Sequence, residues 1–182
     1  MFCVILPRLN PPIMRTLQNT SFENKTALIR VDFNVLLNEN NEVSDSSRIE
    51  AAKPTILHIL EQGGSVVLMS HLGRPKGQVK PELSLGHISS EVSNILGVEV
   101  NFIDETIGQK AKDACAQISQ GEVILLENLR FHAEEEAGDQ AFAQQLAELG
   151  DIYVNDAFGT AHRAHASTAI IAQFFEQNKC FG

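Results

Sequence analysis

The segment Ser70-His71-Leu72-Gly73-Arg74-Pro75-Lys76-Gly77 gathers an imidazole, a guanidinium and an ammonium between glycines and a proline. Glycine lets the backbone approach a ligand closely and proline stiffens the turn, while arginine presents a planar fork of donors matched to carboxylate or phosphate. Such a segment suits the capture of an anion. Other segments share this character. Asp32-Phe33-Asn34 is followed by Arg48 at a helix opening, Glu127-Asn128-Leu129-Arg130-Phe131 carries a further arginine, and Asn155 to His165 carries His162, Arg163 and His165.

Seven arginines occur in the chain, and four of them (Arg48, Arg74, Arg130 and Arg163) lie in these segments, in a protein of net charge −9. Four guanidinium groups brought together repel one another unless a multiply charged anion separates them. Each charge-assisted contact contributes roughly 1.5–3 kcal/mol where partly desolvated. A small ligand with both a phosphate and a carboxylate would satisfy the set. Asp32 and Asn34 then suit a hydroxyl, since a carboxylate accepts and an amide both donates and accepts. Arrangements like this predict that Arg74→Ala and Arg130→Ala cost affinity and leave thermal stability near wild type.

Each residue also has an ordinary reading. Arg30 lies inside a strand pattern and suits a buried structural ion pair. Arg48 could be surface charge, although it opposes the helix dipole where it stands. His71 could be a satisfied loop histidine, and Asp32 and Asn34 could bond only the loop backbone. His162 and His165 flank Arg163 and either could be structural, with His162 the candidate for ligand contact. His58, His87 and His132 suit positions facing solvent or behind the site.

The elements that must position these residues alternate between strand and helix. Strands are expected at Thr26–Asp32, Ser65–Met69, Val98–Phe102, Val123–Leu126 and Ile152–Val154. Helices are expected from Ser47 to Leu60, Ile88 to Leu96, Ile107 to Ile118 and Asp139 to Leu149, several of them closed by glycine. Ser47 and Glu50 have capping-box spacing, and Pro54 predicts a kink or two abutting helical pieces. The acidic run Glu134-Glu135-Glu136 reads as a solvated loop or helix start. This alternation predicts an α/β fold, a Rossmann-like three-layer α/β/α sandwich with a mostly parallel sheet in a single domain. Ligands of such sheets sit outside the carboxyl ends of the strands, where every candidate segment falls.

At 182 residues and 43% hydrophobic composition the chain can bury one good core. Residues 1–13 precede Met14 and the patterned sequence, and read as a disordered or spurious extension; the domain itself is expected over 14–182. No apolar stretch is long enough to span a bilayer, and the opening residues lack the features of a signal peptide. Cys3, Cys115 and Cys180 share no ligand spacing, which argues against a zinc or disulfide framework and for a reducing, cytoplasmic setting; no metal site is expected. Cys115 suits a small core position. The negative charge argues against nucleic acid or an acidic membrane as a partner.

Beside these readings, the chain closely resembles the amino-terminal, substrate-binding half of the phosphoglycerate kinase family. The resemblance rests on Arg30-Val31-Asp32-Phe33-Asn34-Val35, Asp45-Ser46-Ser47-Arg48-Ile49, Ser70 to Gly77, Leu126 to Phe131, and Val154 to His165, in that order. It runs from about Met14 to the end. It implies transfer of a phosphoryl group between 1,3-bisphosphoglycerate and ADP, giving 3-phosphoglycerate and ATP. It further implies that Asp32, Asn34, Arg48, His71, Arg74, Arg130 and Arg163 contact phosphoglycerate, with Phe33, Leu72 and Gly73 in the same lining segments. Arg48 would be the catalytic member, stabilising the phosphoryl oxygens in flight. Leu36 stands where the family usually has proline, which implies a looser loop.

The family's nucleotide-binding carboxy-terminal domain has no counterpart in these residues, and no Gly-x-x-x-x-Gly-Lys-Ser/Thr loop replaces it. The resemblance therefore implies a monomeric piece that needs that missing domain as partner, that binds no cofactor itself, and that does not turn over alone. Mg-ATP or Mg-ADP would belong to the complete enzyme. A non-catalytic phosphometabolite-binding module is the alternative reading. A phosphohydrolase with Asp32 as nucleophile is more distant, because Asn34 stands where such enzymes place a general acid. A dinucleotide-binding domain lacks its glycine fingerprint after the first strand.

Overall fold

The computed structural model describes residues 16–157, 159, 164–175 and 178–182. The extension expected over residues 1–13, together with His162 and Arg163, lies outside them. Six strands form one parallel sheet: β1 (Thr26–Val31), β2 (Ser65–Met69), β3 (Val100–Ile103), β4 (Val123–Leu126), β5 (Ile152–Asp156) and β6 (Lys179–Phe181). Their order is β3-β4-β2-β1-β5-β6, and every pairing is parallel. The helices are α1 (Ser47–Glu61), α2 (Ser89–Leu96), α3 (Gln109–Ala116), α4 (Ala133–Ala137) and α5 (Gln140–Ala147).

Strand side chains alternate between faces, and here both faces are apolar, so two cores form. On one, Ile29, Val66, Leu68, Val123 and Val154 pack with Ile49, Ile56 and Ile59 of α1 and Val92 of α2. On the other, Leu28, Val67, Met69, Ile124 and Tyr153 pack with Ala111 of α3 and Phe142 and Leu146 of α5. The expected three layers are present.

Several boundaries differ from expectation. The N-cap of α1 is Ser46, one residue earlier than Ser47, and its side chain makes no capping bond to the backbone: Ser46 Oγ donates to Glu50 Oε1 at 2.7 Å, and Asp45 Oδ1 accepts the Ser47 N–H at 2.9 Å. Pro54 sits within one uninterrupted helical span and does not divide it. Pro54 and Glu50 are both exposed, so the carbonyl that loses its partner is open to water. β3 starts at Val100, two residues late, because its register is set by pairing with Val123. β6 was not expected, and α4 takes the helix-start reading of Glu134-Glu135-Glu136; each is only a few residues long.

Candidate anion-binding site

Because the strands are parallel, the loops that leave β1, β2 and β4 emerge on one edge of the sheet, from three neighbouring strands. They are tied to one another by side-chain to backbone bonds. Phe33 N–H donates to Ser70 Oγ at 2.8 Å, and Gly73 N–H donates to Asn34 Oδ1 at 2.8 Å. The Asn128 amide donates to Leu72 O at 2.8 Å and to Leu83 O at 2.9 Å, while its Oδ1 accepts the Arg130 N–H at 3.1 Å. Asn128 is fully buried and clamps two loops; its role could not be read from sequence, since a buried amide looks like any loop asparagine.

The charged groups divide into an exposed and a buried set. Arg48, half exposed, donates from Nη1 to Asp32 Oδ2. Arg74 is exposed, immediately after the Gly73 that Asn34 holds. Arg130 is only 4% exposed; its Nη1 donates to Gly73 O at 3.0 Å and its Nε stands 3.5 Å from Glu136 Oε1. Phe33 and Leu72 are buried in the core, so what they offer the rim is backbone.

The 71–77 loop needs its glycines for distinct reasons. Gly73 has φ +63°, and a Cβ there would stand 2.8 Å from Leu83 Cδ2. Gly77, at φ +72°, donates its N–H to Arg130 O at 3.1 Å, and a Cβ would stand 2.7 Å from that of Ala133. Leu36, expected to loosen its loop, is exposed, but its carbonyl accepts from Ser44 N–H at 2.9 Å and from Ser44 Oγ at 3.0 Å.

Behind the rim lies a polar cluster. Arg30 is fully buried, and the expected direct ion pair is replaced by relayed contact: Nε donates to Ser167 Oγ at 2.8 Å, Nη1 to Val31 O, and Nη2 meets His71 Nδ1 at 3.2 Å. Ser167 in turn donates from Oγ to Glu135 Oε1 at 2.6 Å. Thus Glu135 is wholly buried, against the solvated reading of its acidic run. Burial, reinforced by the positive charges of Arg30 and Arg130, pushes the His71 imidazole down to about 2, so the ring is neutral. Burial also lowers the His132 imidazole, whose ring lies 5.0 Å from that of Phe142. His58 bonds Gln62, and His87 is exposed and bonds Pro81 O. Cys115 is half-buried beside the second core, and burial pushes its thiol up to about 11.

The structure therefore brings Asp32, Asn34, Arg48, His71, Gly73, Arg74 and Arg130 to one edge. The phosphoglycerate kinase family model matches residues 17–182. The chain belongs to the phosphoglycerate kinase family. It is 54% identical over 159 residues to the phosphoglycerate kinase of Moorella thermoacetica, covering 87% of this chain and 40% of that one. It is 48% identical over 191 aligned positions to that of Porphyromonas gingivalis, covering 92% of this chain and 46% of the relative. Among solved structures, phosphoglycerate kinase from Coxiella burnetii superposes with TM-score 0.81 at 37% identity, over 93% of this chain and 41% of that one. The Pyrococcus horikoshii enzyme superposes with TM-score 0.83 at 31% identity, over 93% of this chain and 42% of that one. The chain thus spans less than half the length of the phosphoglycerate kinases it matches.

Proposed function

We propose that this chain is the half of phosphoglycerate kinase that holds 3-phosphoglycerate and 1,3-bisphosphoglycerate. The observation that carries the reading is the Asn34–Gly73–Arg130 chain of hydrogen bonds beside the Asp32–Arg48 pair, at one edge of a parallel sheet. Arg74, Arg130 and Arg163, with His71 and His162, hold the anionic groups, and Asp32 and Asn34 hold the hydroxyl. The backbone of Phe33, Leu72 and Gly73 lines the same floor. Arg48 stands exposed at the rim, where it can meet a phosphoryl group in transit, and its exchange between Asp32 and that group needs only a side-chain movement.

The complete protein would transfer the phosphoryl group to ADP, with Mg-ADP or Mg-ATP bound by residues outside this chain. The 182 residues alone would bind substrate without turnover. They would act as a cytoplasmic monomer that contacts neither nucleic acid nor membrane. Among the described residues no helix is long and apolar enough to cross a membrane.

Calorimetric titration of the chain with 3-phosphoglycerate tests the binding, and a coupled ATP assay with and without a separately made nucleotide-binding domain tests the chemistry. Saturable binding and turnover only in the mixture are expected. Absence of binding would refute the reading, and turnover by the chain alone would refute the division of labour. Binding that never yields turnover in the mixture would favour a non-catalytic metabolite-binding module.

A further inference from the structure

The cluster beneath the rim has a direction built into it. An arginine has five N–H donors and no acceptor, so its contact with His71 Nδ1 is a hydrogen bond only if that nitrogen is unprotonated. The 3.2 Å separation of Arg30 Nη2 and His71 Nδ1 assigns the ring proton to Nε2. Among the described residues none bonds Nε2, which leaves that N–H as the ring's uncommitted donor.

Arg30 is itself oriented by Glu135 of α4 and by Ser167 in the helical turn Ala166–Ile170. Its Nε donates to Ser167 Oγ at 2.8 Å, and the same hydroxyl donates to Glu135 Oε1 at 2.6 Å. Glu135 Oε2 accepts the Ser167 backbone N–H at 2.9 Å, so both carboxylate oxygens grip one residue. The Arg30, Glu135 and Ser167 side chains are fully buried, and His71 is 4% exposed. The His165 imidazole also faces Glu135, at 3.9 Å. Each link therefore has one sense: serine donates to glutamate, and arginine donates to serine and to histidine. Burial of a carboxylate and a guanidinium is costly unless their bonds are complete, and a chain of this kind rigidifies every member.

We propose that Glu135 and Ser167, acting through Arg30, are positioning residues that hold His71 as a neutral imidazole protonated on Nε2, so that it offers the rim a donor. The ligand part of this inference rests on the phosphoglycerate reading above; the tautomer part does not. A histidine with the opposite tautomer would turn a lone pair toward an anion and repel it. The low proton affinity of the ring accords with the geometry, because a buried imidazolium would face two guanidinium groups.

Long-range proton–nitrogen correlation on the 182-residue chain labelled with nitrogen-15 histidine tests this. In the wild type, His71 Nδ1 is expected to resonate as an unprotonated nitrogen and Nε2 as a protonated one. In Ser167→Ala the two nitrogens are expected to move toward averaged values, with 3-phosphoglycerate affinity down about fivefold, the worth of one ordinary hydrogen bond. A proton on Nδ1 in the wild type would overturn the proposal without any variant. An affinity loss in Ser167→Ala with an unchanged tautomer would overturn it too, as would no change in either quantity. If the wild-type tautomer is as stated but 3-phosphoglycerate does not bind, the ligand reading fails while the positioning of His71 stands.

Discussion

Asn34 Oδ1 accepts the Gly73 N–H at 2.8 Å, fixing the loop after β1 to the loop after β2. One bond thus sets the separation of two candidate ligand segments that lie far apart in sequence. The same glycine is held from the other side by Arg130, so the loop cannot shift without disturbing three strands' worth of contacts.

Asn34→Ala removes that acceptor and leaves the Gly73 N–H to water. The expected loss is about 1 kcal/mol of stability, together with about fivefold weaker binding of 3-phosphoglycerate. Asn34→Asp keeps the acceptor and is expected to recover stability but not affinity, because it adds a negative charge facing an anion. Urea denaturation and calorimetric titration of both variants decide this; wild-type affinity in Asn34→Asp would remove Asn34 from the ligand.

Gly73→Ala tests whether the loop conformation is required. Two costs combine, a φ of +63° and a Cβ 2.8 Å from Leu83 Cδ2. The backbone cost alone is on the order of 1–3 kcal/mol. Adding Leu83→Ala relieves the clash and not the dihedral, so the double variant is expected to be less destabilised by the glycine change than the wild type is. A double-mutant cycle in urea measures the difference. No coupling between the two sites would mean that the loop relaxes away from Leu83.

Much of this arrangement was legible in the chain. Val123-Ile124-Leu125-Leu126 is an almost purely apolar run typical of a strand covered on both faces, and Gly97 closes α2 in the left-handed conformation, as its position suggested. The convergence of Asp32, His71, Arg74 and Arg130 followed from parallel strands alone. What stayed hidden depends on partners distant in sequence. Glu135 looks like its neighbours Glu134 and Glu136 until Ser167, 32 residues later, arrives to bond both its oxygens. Asn128 is a clamp only because Leu72 and Leu83 present carbonyls to it. β6 has three residues and one buried side chain, too short for any periodicity to show.

Arg74 and Arg130 should separate, although sequence alone treats them alike. Arg74 is exposed, so Arg74→Ala is expected to weaken 3-phosphoglycerate binding by about ten- to a hundredfold, the worth of one charge-assisted bond, with an unchanged melting temperature. Arg130 is buried and holds Gly73 O, so Arg130→Ala should weaken binding and also lower stability by about 1–3 kcal/mol. Scanning calorimetry beside titration reads both quantities. A wild-type melting temperature in Arg130→Ala would show that its backbone contact is dispensable.

His71 gives the fold a calculable response to acid. Its imidazole falls from an ordinary 6.5 to about 2 in the folded chain, chiefly through burial and then through Arg30. A depressed value means that the unfolded chain binds a proton that the folded chain refuses. The contribution to stability is therefore complete above the unfolded value and declines as pH falls between about 6.5 and 2. Where this group alone titrates, the slope approaches about 1.4 kcal/mol per pH unit. His71→Gln retains an acceptor for Arg30 and cannot be protonated, so its stability should fall less steeply than that of the wild type from pH 6.5 to 4.5. Urea denaturation of both proteins at half-unit pH steps measures the two slopes, and parallel curves would show that His71 carries its proton in the folded protein after all.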